Sequence, residues 1–239
     1  MHLNLINSYQ NSQDSATLFN LYFRDIKFMS LSDFKGPNYI ANWSSDLDRR
    51  WPERIDIFPS IVQTILDYCR DSDREDMHLL ELGPGAGYLA EAILSLLTSH
   101  LESVSYLGID INPELTQHTQ KQLQHLQLAK ISLKNADLNN VFWPKELPSF
   151  DIAYSFQTLH DLGGYQALKS VYKKLFFLIR SGGLLLNTDF IVPFDSDNLD
   201  NPRRFSVQIH QQLLESIGFI GFKCQTVAGK LGCIVALRP

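Results

Sequence analysis

The chain has 239 residues, of which 44% are hydrophobic and 20% charged, and its formal net charge at pH 7 is −5. This length suits one sizeable core with an appendage, and the composition is that of an ordinary globular protein. The negative net charge argues against nucleic acid as a partner, and no apolar stretch approaches the ~20 residues that span a bilayer. Because no basic segment followed by an apolar one opens the chain, we expect a cytoplasmic protein without a membrane partner.

The sequence has no pattern typical of a metal site. Its cysteines, Cys69, Cys224 and Cys233, are odd in number, far apart and without C-x-x-C spacing, so we predict free thiols in a reducing compartment. His118 and His125 lie seven residues apart and would share one face of a predicted helix. Since nothing accompanies them as a third ligand, we predict no bound metal.

Residues 1–56 predict a helical extension ahead of a larger domain, residues 57–239. Ala16–Met29 has the apolar spacing of a helix, and Gly36-Pro37 breaks the chain after it. The next segment carries aromatic side chains among charged ones, and exposed rings at this density need a surface to cover. These rings are Tyr39, Trp43 and Trp51.

Pro59 predicts the start of an amphipathic helix, which ends in a charged loop before the most informative stretch of the chain. That stretch, Leu79–Tyr88, is an apolar run that stops at Gly83, Gly85 and Gly87. It predicts a buried strand, a turn without side chains and then a helix. The glycines let a ligand lie against the main chain, and the free N–H groups of the helix start attract a carboxylate or a phosphate.

The spacing of these glycines separates two classes of ligand. A dinucleotide fingerprint, G-x-G-x-x-G, would place its third glycine at Tyr88, but the glycine comes one residue earlier. The run from Glu81 to Gly87, E-L-G-P-G-A-G, resembles motif I of the class I S-adenosylmethionine-dependent methyltransferases. The resemblance extends from about residue 57 to the C-terminus. It implies the cofactor S-adenosyl-L-methionine, with contacts at Glu81, Gly83, Pro84, Gly85 and Gly87 around its methionine end.

The resemblance suggests a role for the aromatic residues of the extension. In similar methyltransferases the segment before the first helix often lies across the cofactor pocket as a lid, which would bring Tyr39 to the cofactor. The alternative is that the rings only dock the extension onto the core. The sequence does not separate these two roles.

The predicted second strand, Val104–Asp110, ends in an acid 23 residues after Gly87. A carboxylate at this place in a βαβ unit accepts hydrogen bonds from both hydroxyls of a ribose. The resemblance implies the same role for Asp110 and a cofactor contact at the next residue, Ile111. The alternative is that Asp110 only caps the helix that follows.

A helix over Glu114–Leu128 and a short third strand, Ile131–Asn135, are predicted next. Members of the resembling family commonly place an acid after this strand, where it accepts a hydrogen bond from the adenine amino group. The N–H of the next residue then lies near the ring. Asp137 and Leu138 match these two positions, although aspartate is common in turns of any kind.

Phe150–Ser155 predicts the fourth strand, which opens onto the loop of residues 156–164. Ligands of open α/β sheets sit beyond the carboxyl ends of the strands, so this loop borders the same pocket. The segment resembles motif IV of the family, where the strand end flanks the methionine moiety and the transferable methyl. The resemblance therefore implies cofactor contacts at Ser155 and Phe156.

Two residues of this loop are the predicted catalytic residues. His160 could remove a proton from an acceptor hydroxyl or amine as the methyl moves, and Asp161 could orient its ring. The alternatives are that such enzymes add little beyond placing the acceptor, since the methyl is already activated, and that the histidine only bonds to backbone or packs under the lid.

The remaining elements complete an α/β fold. Alternating strands and helices predict a doubly wound, mostly parallel seven-stranded sheet with helices on both faces. The resemblance adds an antiparallel last strand, which agrees with a hairpin at this end of the chain. Asn187 and Asp189 alternate near the end of the fifth strand and could face the substrate or cap the next turn. These elements are a helix over Tyr165–Ile179, a break at Arg180–Gly183, a strand over Leu184–Phe190, a helix over Arg203–Ile217, and a hairpin of Phe219–Val227 and Leu231–Leu237.

The function that these patterns favour is S-adenosylmethionine-dependent transfer of a methyl group to a small-molecule acceptor, by direct in-line displacement and mainly through proximity and orientation. The acceptor class follows by elimination, because residues 155–158 match neither the N-P-P-Y/F-like sequence of nucleic-acid amine methylation nor the metal-binding acids of catechol-type enzymes. One alternative is a nicotinamide-dependent oxidoreductase, which Tyr88 and the C-terminal hairpin oppose. The other is a non-catalytic module that binds the cofactor or a partner protein.

Overall fold

The computed structural model describes residues 30–72, 74–198 and 200–239. The predicted helix over Ala16–Met29 lies outside these residues. The chain divides after Trp43 into two compact units. In the first unit, the described part holds a short 3₁₀ turn, Leu31–Asp33, and the beginning of helix α1, Tyr39–Arg50.

The second unit is built on one seven-stranded sheet. Its strands are β1 (Asp76–Leu82), β2 (Ser103–Asp110), β3 (Lys130–Asn135), β4 (Phe150–Phe156), β5 (Ile179–Phe190), β6 (Ile220–Ala228) and β7 (Leu231–Leu237). They lie in the order β3-β2-β1-β4-β5-β7-β6. The first five pair in parallel, and β7 lies antiparallel between β5 and β6. The predicted fold class is confirmed.

Helices cover both faces of this sheet. The described residues form α2 (Glu53–Asp71), α3 (Tyr88–Leu97), α4 (Pro113–Gln122), α5 (Tyr165–Leu178) and α6 (Val207–Ile217). On one face, α2 and α3 bury apolar residues such as Ile57, Ile61 and Ile65 against the strands. On the other face, α5 and α6 do the same. No helix among the residues that the structure describes is both long and apolar enough to cross a membrane.

Helix α2 begins earlier than predicted. Pro59 lies inside it rather than at its start, and Glu53 is its first residue. Proline removes one hydrogen bond from a helix interior, but Ile57, Ile61 and Ile65 are fully buried and hold the helix together on both sides of it. The predicted boundary between residues 56 and 57 therefore falls within α2, whereas the compact units divide after Trp43.

Strand β5 also begins earlier than predicted, at Ile179 instead of Leu184. The preceding helix ends at Leu178, as the predicted break requires, but residues 179–183 already belong to the strand because the segment before Leu184 pairs with residues near the C-terminus. Gly182 N donates to Arg238 O at 2.7 Å, and Arg238 N donates to Gly183 O at 3.0 Å. A glycine pair is a local stop signal, but pairing with a distant segment overrides it here.

Two predicted helices are shorter in the structure. The helix predicted from Arg203 begins at Val207, because the side chain of Ser206 accepts a hydrogen bond from Ile209 N and caps it. A side-chain oxygen at this position satisfies one of the free N–H groups of the first turn. The helix predicted to reach Leu128 ends at Gln122 and continues only as a 3₁₀ turn.

The edge of the sheet opposite to the carboxyl ends of the parallel strands is held by one buried carboxylate. Asp151 of β4 is completely buried. Arg180 Nη1 lies 3.0 and 3.1 Å from its two oxygens, and Arg74 Nη1 lies 3.1 Å from one of them. The backbone N–H of His78 donates to it at 2.9 Å. This carboxylate therefore links β1, β4, β5 and the loop before β1.

Candidate functional site

The carboxyl ends of the parallel strands meet at one edge of the sheet, where β1 leads into the glycine turn. Gly83, Gly85 and Gly87 all have positive φ, at 71°, 56° and 82°. A Cβ added at Gly83 would collide with the side chain of Thr158, and one at Gly87 would crowd Thr119. Any other residue at positions 83 and 87 would therefore be both strained and overpacked.

Asp110 connects the end of β2 to this turn. Its Oδ2 accepts a hydrogen bond from Gly85 N at 3.1 Å, and its Oδ1 accepts one from Asn112 N at 2.8 Å. Gly87 N donates to Pro84 O at 2.9 Å and closes the turn. Burial raises the pKa of Asp110, and hydrogen bonds from the backbone N–H groups of Asn112, Gly85 and Ile111 only partly offset this effect. The structure thus brings Asp110 to the glycine turn, with lone pairs on both oxygens left for other donors.

The helix cap that was the alternative role of Asp110 belongs to another residue. Asn112 precedes α4, and its side chain accepts hydrogen bonds from the N–H groups of Glu114 and Leu115. Between these positions Ile111 is 66% exposed. An apolar side chain in this position is available to cover a flat ligand next to Asp110.

The turn after β3 lies beside the same strand end. Ala136 N donates to Asp110 O at 3.0 Å, which holds the turn against β2. The carboxylate of Asp137 accepts a hydrogen bond from Asn139 N at 2.8 Å, and Leu138 is buried. The structure therefore brings the predicted ribose and adenine contacts, Asp110 and Asp137, to neighbouring strand ends.

Glu81 occupies a different environment from the other predicted cofactor contacts. It is 1% exposed, and its Oε2 accepts hydrogen bonds from the hydroxyls of Tyr106 at 2.6 Å and Tyr154 at 3.1 Å. Burial raises the pKa of Glu81 to about 7, against these two hydrogen bonds. The observed contacts of this carboxyl are within the core, and its contact with the cofactor stays a prediction.

The buried carboxyl makes stability depend on pH. Between the usual pKa of 4.5 and the folded-state value of about 7, the folded protein binds a proton that the unfolded chain releases. Stability therefore falls as the pH rises through this window and is lowest above it. The neutral amide of Glu81→Gln removes this penalty, and we expect it to raise the free energy of unfolding at pH 8 by up to about 3 kcal/mol.

Urea unfolding at pH 5 and pH 8 measures this effect. The gain from Glu81→Gln should be largest at pH 8 and nearly absent at pH 5. Glu102→Gln is the matched control, since Glu102 is exposed and its replacement should change little at either pH. An equal effect of Glu81→Gln at both pH values would contradict the raised pKa.

The end of β4 carries the predicted contacts Ser155 and Phe156. Ser155 is 2% exposed, and its hydroxyl has no hydrogen-bond partner among the described residues. The guanidinium of Arg54 lies over the Phe156 ring, 4.7 Å from its centroid. Arg54 also donates to the side chain of Gln157, so the start of α2 contacts the end of β4.

His160, in the loop after β4, and Asp189, near the carboxyl end of β5, form a largely buried pair. His160 Nδ1 lies 2.7 Å from Asp189 Oδ1, and His160 N donates to Asp189 Oδ2 at 3.0 Å. Burial disfavours the imidazolium, but the carboxylate outweighs it and raises the pKa of His160. The same attraction outweighs burial at Asp189 and lowers its pKa. Since Nδ1 is held by the carboxylate, Nε2 is the ring nitrogen that remains for a ligand's proton.

The carboxylate bonded to the His160 ring belongs to Asp189, whereas the sequence predicted Asp161 at this place. Asp161 Oδ1 is 3.5 Å from His160 Nε2, and the Asp161 side chain is 63% exposed. It pairs with Arg203, which also donates to His160 O at 3.3 Å. Asp161 is adjacent in sequence, but the main chain directs it outward, while β5 places Asp189 under the ring.

Aromatic side chains line the edge of the sheet next to His160. The Trp51 ring stacks on Phe194 with centroids 5.0 Å apart, and Phe190 meets Phe194 edge-on at 4.8 Å. The His160 ring lies 5.0 Å from Phe190. We call Trp51, Phe190 and Phe194 the aromatic cluster. The guanidinium of Arg204 covers it, 3.8 Å from the Phe194 centroid.

The sequence did not predict two of these contacts, that of Asp189 with His160 and that of Arg54 with Gln157. The only signal for Asp189 was its alternation with Asn187 at a strand end, which left its partner open. Nothing local pointed to Arg54, which meets Gln157 across 103 residues of chain. Tyr39 lies in the first unit, and its contact with the cofactor stays a prediction. Among the described residues, no three His, Cys, Asp or Glu side chains are grouped so that they could hold a metal ion.

Comparisons with known proteins give one family match. Residues 80–185 match a family model described as a methyltransferase domain. In contrast, no curated protein matches the sequence.

Several solved structures share the fold. The DszA carbon methyltransferase matches with a TM-score of 0.70 and 16% identity, over 87% of this chain and 60% of that chain. The CurJ carbon methyltransferase matches with a TM-score of 0.67 and 16% identity, over 84% and 60%. The CMeT domain of the citrinin polyketide synthase matches with a TM-score of 0.70 and 14% identity, over 85% and 57%. The chain therefore spans less than two thirds of the length of these proteins.

Proposed function

We propose that the chain transfers a methyl group from S-adenosyl-L-methionine to a small-molecule acceptor by direct in-line displacement. Its residues 80–185 match a methyltransferase domain, and it shares its fold with the DszA carbon methyltransferase. The observation that carries this proposal is the meeting of three features at one sheet edge. These are the glycine turn, the carboxylate of Asp110 bonded to that turn, and the His160–Asp189 pair.

The residues at this edge fit the cofactor. Gly83 and Gly87 keep side chains out of the turn, so a ligand can approach the main chain there. Asp110 retains lone pairs for the two hydroxyls of a ribose, and Ile111 is exposed beside it. Asp137 and Leu138 would hold the adenine at the next strand end. Ser155 and Phe156 would flank the methionine end from β4.

S-adenosyl-L-methionine, when bound, supplies a methyl group that is already activated by a positively charged sulfur. The residues of the chain would position the cofactor and the acceptor, and His160 would accept one proton. The glycine turn and Asp110 belong to β1 and β2, and His160 lies beyond β4. The acceptor would therefore lie on the β4–β5 side, between the cofactor and the aromatic cluster, where His160 Nε2 is available.

His160 acts as the general base in this proposal. Asp189 fixes the ring through Nδ1 and stabilises the imidazolium that forms when Nε2 takes a proton from the acceptor. A pKa above the usual value for histidine makes His160 a stronger base than a free imidazole. This strength favours an acceptor whose proton must be removed before methylation. A carbon acid next to a carbonyl is such an acceptor, and the names of the DszA and CurJ structures, carbon methyltransferases, support the same class.

Labelled-methyl transfer tests the proposed function. The protein is incubated with deuteriomethyl-labelled S-adenosylmethionine and a small-molecule extract, and mass spectrometry identifies the compounds that gain one labelled methyl group. Calorimetry with S-adenosylhomocysteine is run in parallel and should show binding. Absence of binding heat would contradict the whole proposal, whereas binding without transfer would indicate a non-catalytic cofactor-binding module.

One remaining expectation concerns the location of the protein in the cell. Cys69, Cys224 and Cys233 are free thiols, which supports the proposed cytoplasmic location.

The nicotinamide alternative is not favoured, because the methyltransferase model matches the segment that contains the glycine turn.

A further inference from the structure

Gln157 follows β4 with an unusual backbone. Its φ is 50°, in the left-handed region where a residue with a side chain is strained. A hydrogen bond stabilises this conformation, because the Gln157 N–H donates to Thr188 O at 2.8 Å. Glycine would adopt this conformation without strain.

The orientation of the Gln157 amide is fixed by one neighbour. Arg54 donates to the Oε1 of Gln157, and arginine has donors but no acceptor, so the oxygen and not the NH₂ group must face it. Arg54 is itself held, because its Nε donates to Asp48 Oδ1 at 2.7 Å and its guanidinium covers the Phe156 ring. The Gln157 NH₂ group is therefore directed away from Arg54.

That NH₂ group has no partner of its own. Gln157 Nε2 is buried and makes no hydrogen bond with any of the described residues. A buried donor without an acceptor destabilises the folded protein. A strained residue that also carries an unpaired buried donor, at the edge where the ligands bind, indicates a missing hydrogen-bond acceptor.

The neighbours of Gln157 place this missing partner on the acceptor side. Phe156 packs in the same part of the core as the aromatic cluster, on the face covered by α2. His160 lies three residues further along the chain, and its ring contacts Phe190 of that cluster. We propose that Gln157 Nε2 donates a hydrogen bond to a carbonyl oxygen of the methyl acceptor. This inference rests on the proposed function and specifies its substrate class, a carbon acid with a carbonyl next to the methylated carbon.

The proposed contact has a chemical purpose. When His160 Nε2 takes the proton from the carbon, the electron pair of the broken C–H bond spreads onto the adjacent carbonyl oxygen. A donor that is already in place at this oxygen stabilises the developing negative charge without reorganisation. Gln157 would therefore be a catalytic residue that complements the His160 base.

Nuclear magnetic resonance tests the contact without requiring turnover. The side-chain NH₂ signals of Gln157 in ¹⁵N-labelled protein are assigned by their loss in Gln157→Glu, which keeps an oxygen for Arg54. S-adenosylhomocysteine is added first, followed by 2,4-pentanedione as the carbonyl probe. We expect the diketone to shift the Gln157 amide signals of the cofactor-loaded protein.

Kinetics with 2,4-pentanedione as acceptor provide a second measurement. Gln157→Glu and the uncharged Gln157→Met both remove the donor, and we expect kcat/KM to fall about tenfold to hundredfold in each. The affinity for S-adenosylhomocysteine should stay unchanged. Gln225→Glu is the matched control, since Gln225 is exposed on β6 and its replacement adds the same charge away from the site.

The possible outcomes separate this inference from the proposed function. Amide signals that respond to S-adenosylhomocysteine alone would place the donor at the cofactor and overturn the inference. Signals that respond to neither compound would overturn it as well, while the heat of S-adenosylhomocysteine binding would still support the proposed function. Unchanged kcat/KM in Gln157→Met would exclude the catalytic role.

Discussion

Asp189→Asn is expected to lower turnover by roughly 10²- to 10⁴-fold, the usual contribution of general acid–base catalysis. The replacement removes the charge that holds the His160 ring through Nδ1, at 2.7 Å in the structure. An asparagine NH₂ group facing Nδ1 would also favour the wrong tautomer of the ring. His160→Gln removes the base itself and should cost at least as much. Turnover is measured with an acceptor found by labelled-methyl transfer.

The pH profile distinguishes a base from a residue that only supports the fold. His160 works as a base when it is unprotonated, and its pKa is raised above 6.5, so activity should rise with pH through a value above 6.5. Loss of the Asp189 carboxylate lowers the pKa of His160. The acid limb of the Asp189→Asn profile should therefore move to lower pH, even though the rate falls.

Two results would contradict this role. One is an unchanged rate in His160→Gln across the pH range, which would leave only proximity and orientation as the source of catalysis. The other is a lower rate in Asp189→Asn with an unshifted profile, which would mean that Asp189 only maintains the structure. His100→Gln is the control for replacing a histidine, because His100 is exposed in the turn after α3.

Asp151→Ala is expected to lower the free energy of unfolding by about 3–5 kcal/mol, as is typical when one partner of a buried ion pair is removed. The carboxylate is completely buried and receives hydrogen bonds from Arg180 and from His78 N, with Arg74 3.1 Å away. Its loss leaves these donors without an acceptor at the edge opposite to the candidate functional site.

Urea unfolding measures the effect of Asp151→Ala. Asp76→Ala is the matched control, because Asp76 lies at the same edge of the sheet with a side chain that is 59% exposed, and exposed ion pairs contribute little. A loss of less than about 1 kcal/mol in Asp151→Ala would show that the two arginines find sufficient solvent. The affinity for S-adenosylhomocysteine should change little in either variant if the protein remains folded.

The glycine turn shows which part of the site is encoded locally. The strand, the turn and the start of α3 follow from contiguous residues, because apolar alternation and glycine spacing act over a few positions. The same holds for Asp110, whose distance along the chain from the turn is set by one βαβ unit. For these elements the predicted and observed structures agree.

The start of β5 and the partner of His160 show the limit of such reasoning. From the sequence, the glycine pair at 182–183 predicts a break before β5, and Asp161 is the predicted partner of His160. Both predictions use only residues that are close together in the chain. In the structure, Arg238 pairs with the glycines, and Asp189 reaches His160 across 29 residues. Both outcomes depend on which strands become neighbours in the sheet.

The amino-acid sequence by itself therefore determined the fold class, the glycine turn and the carboxylate beside it. The tertiary structure decided that Asp189 bonds to the His160 ring and that Arg54 bonds to the Gln157 amide. It also decided that the Glu81 carboxyl is buried in the core. The physical reason is that backbone conformation depends on residues a few positions apart. Hydrogen bonds between side chains instead depend on the packing of whole strands and helices, which brings distant parts of the chain within 3 Å of each other.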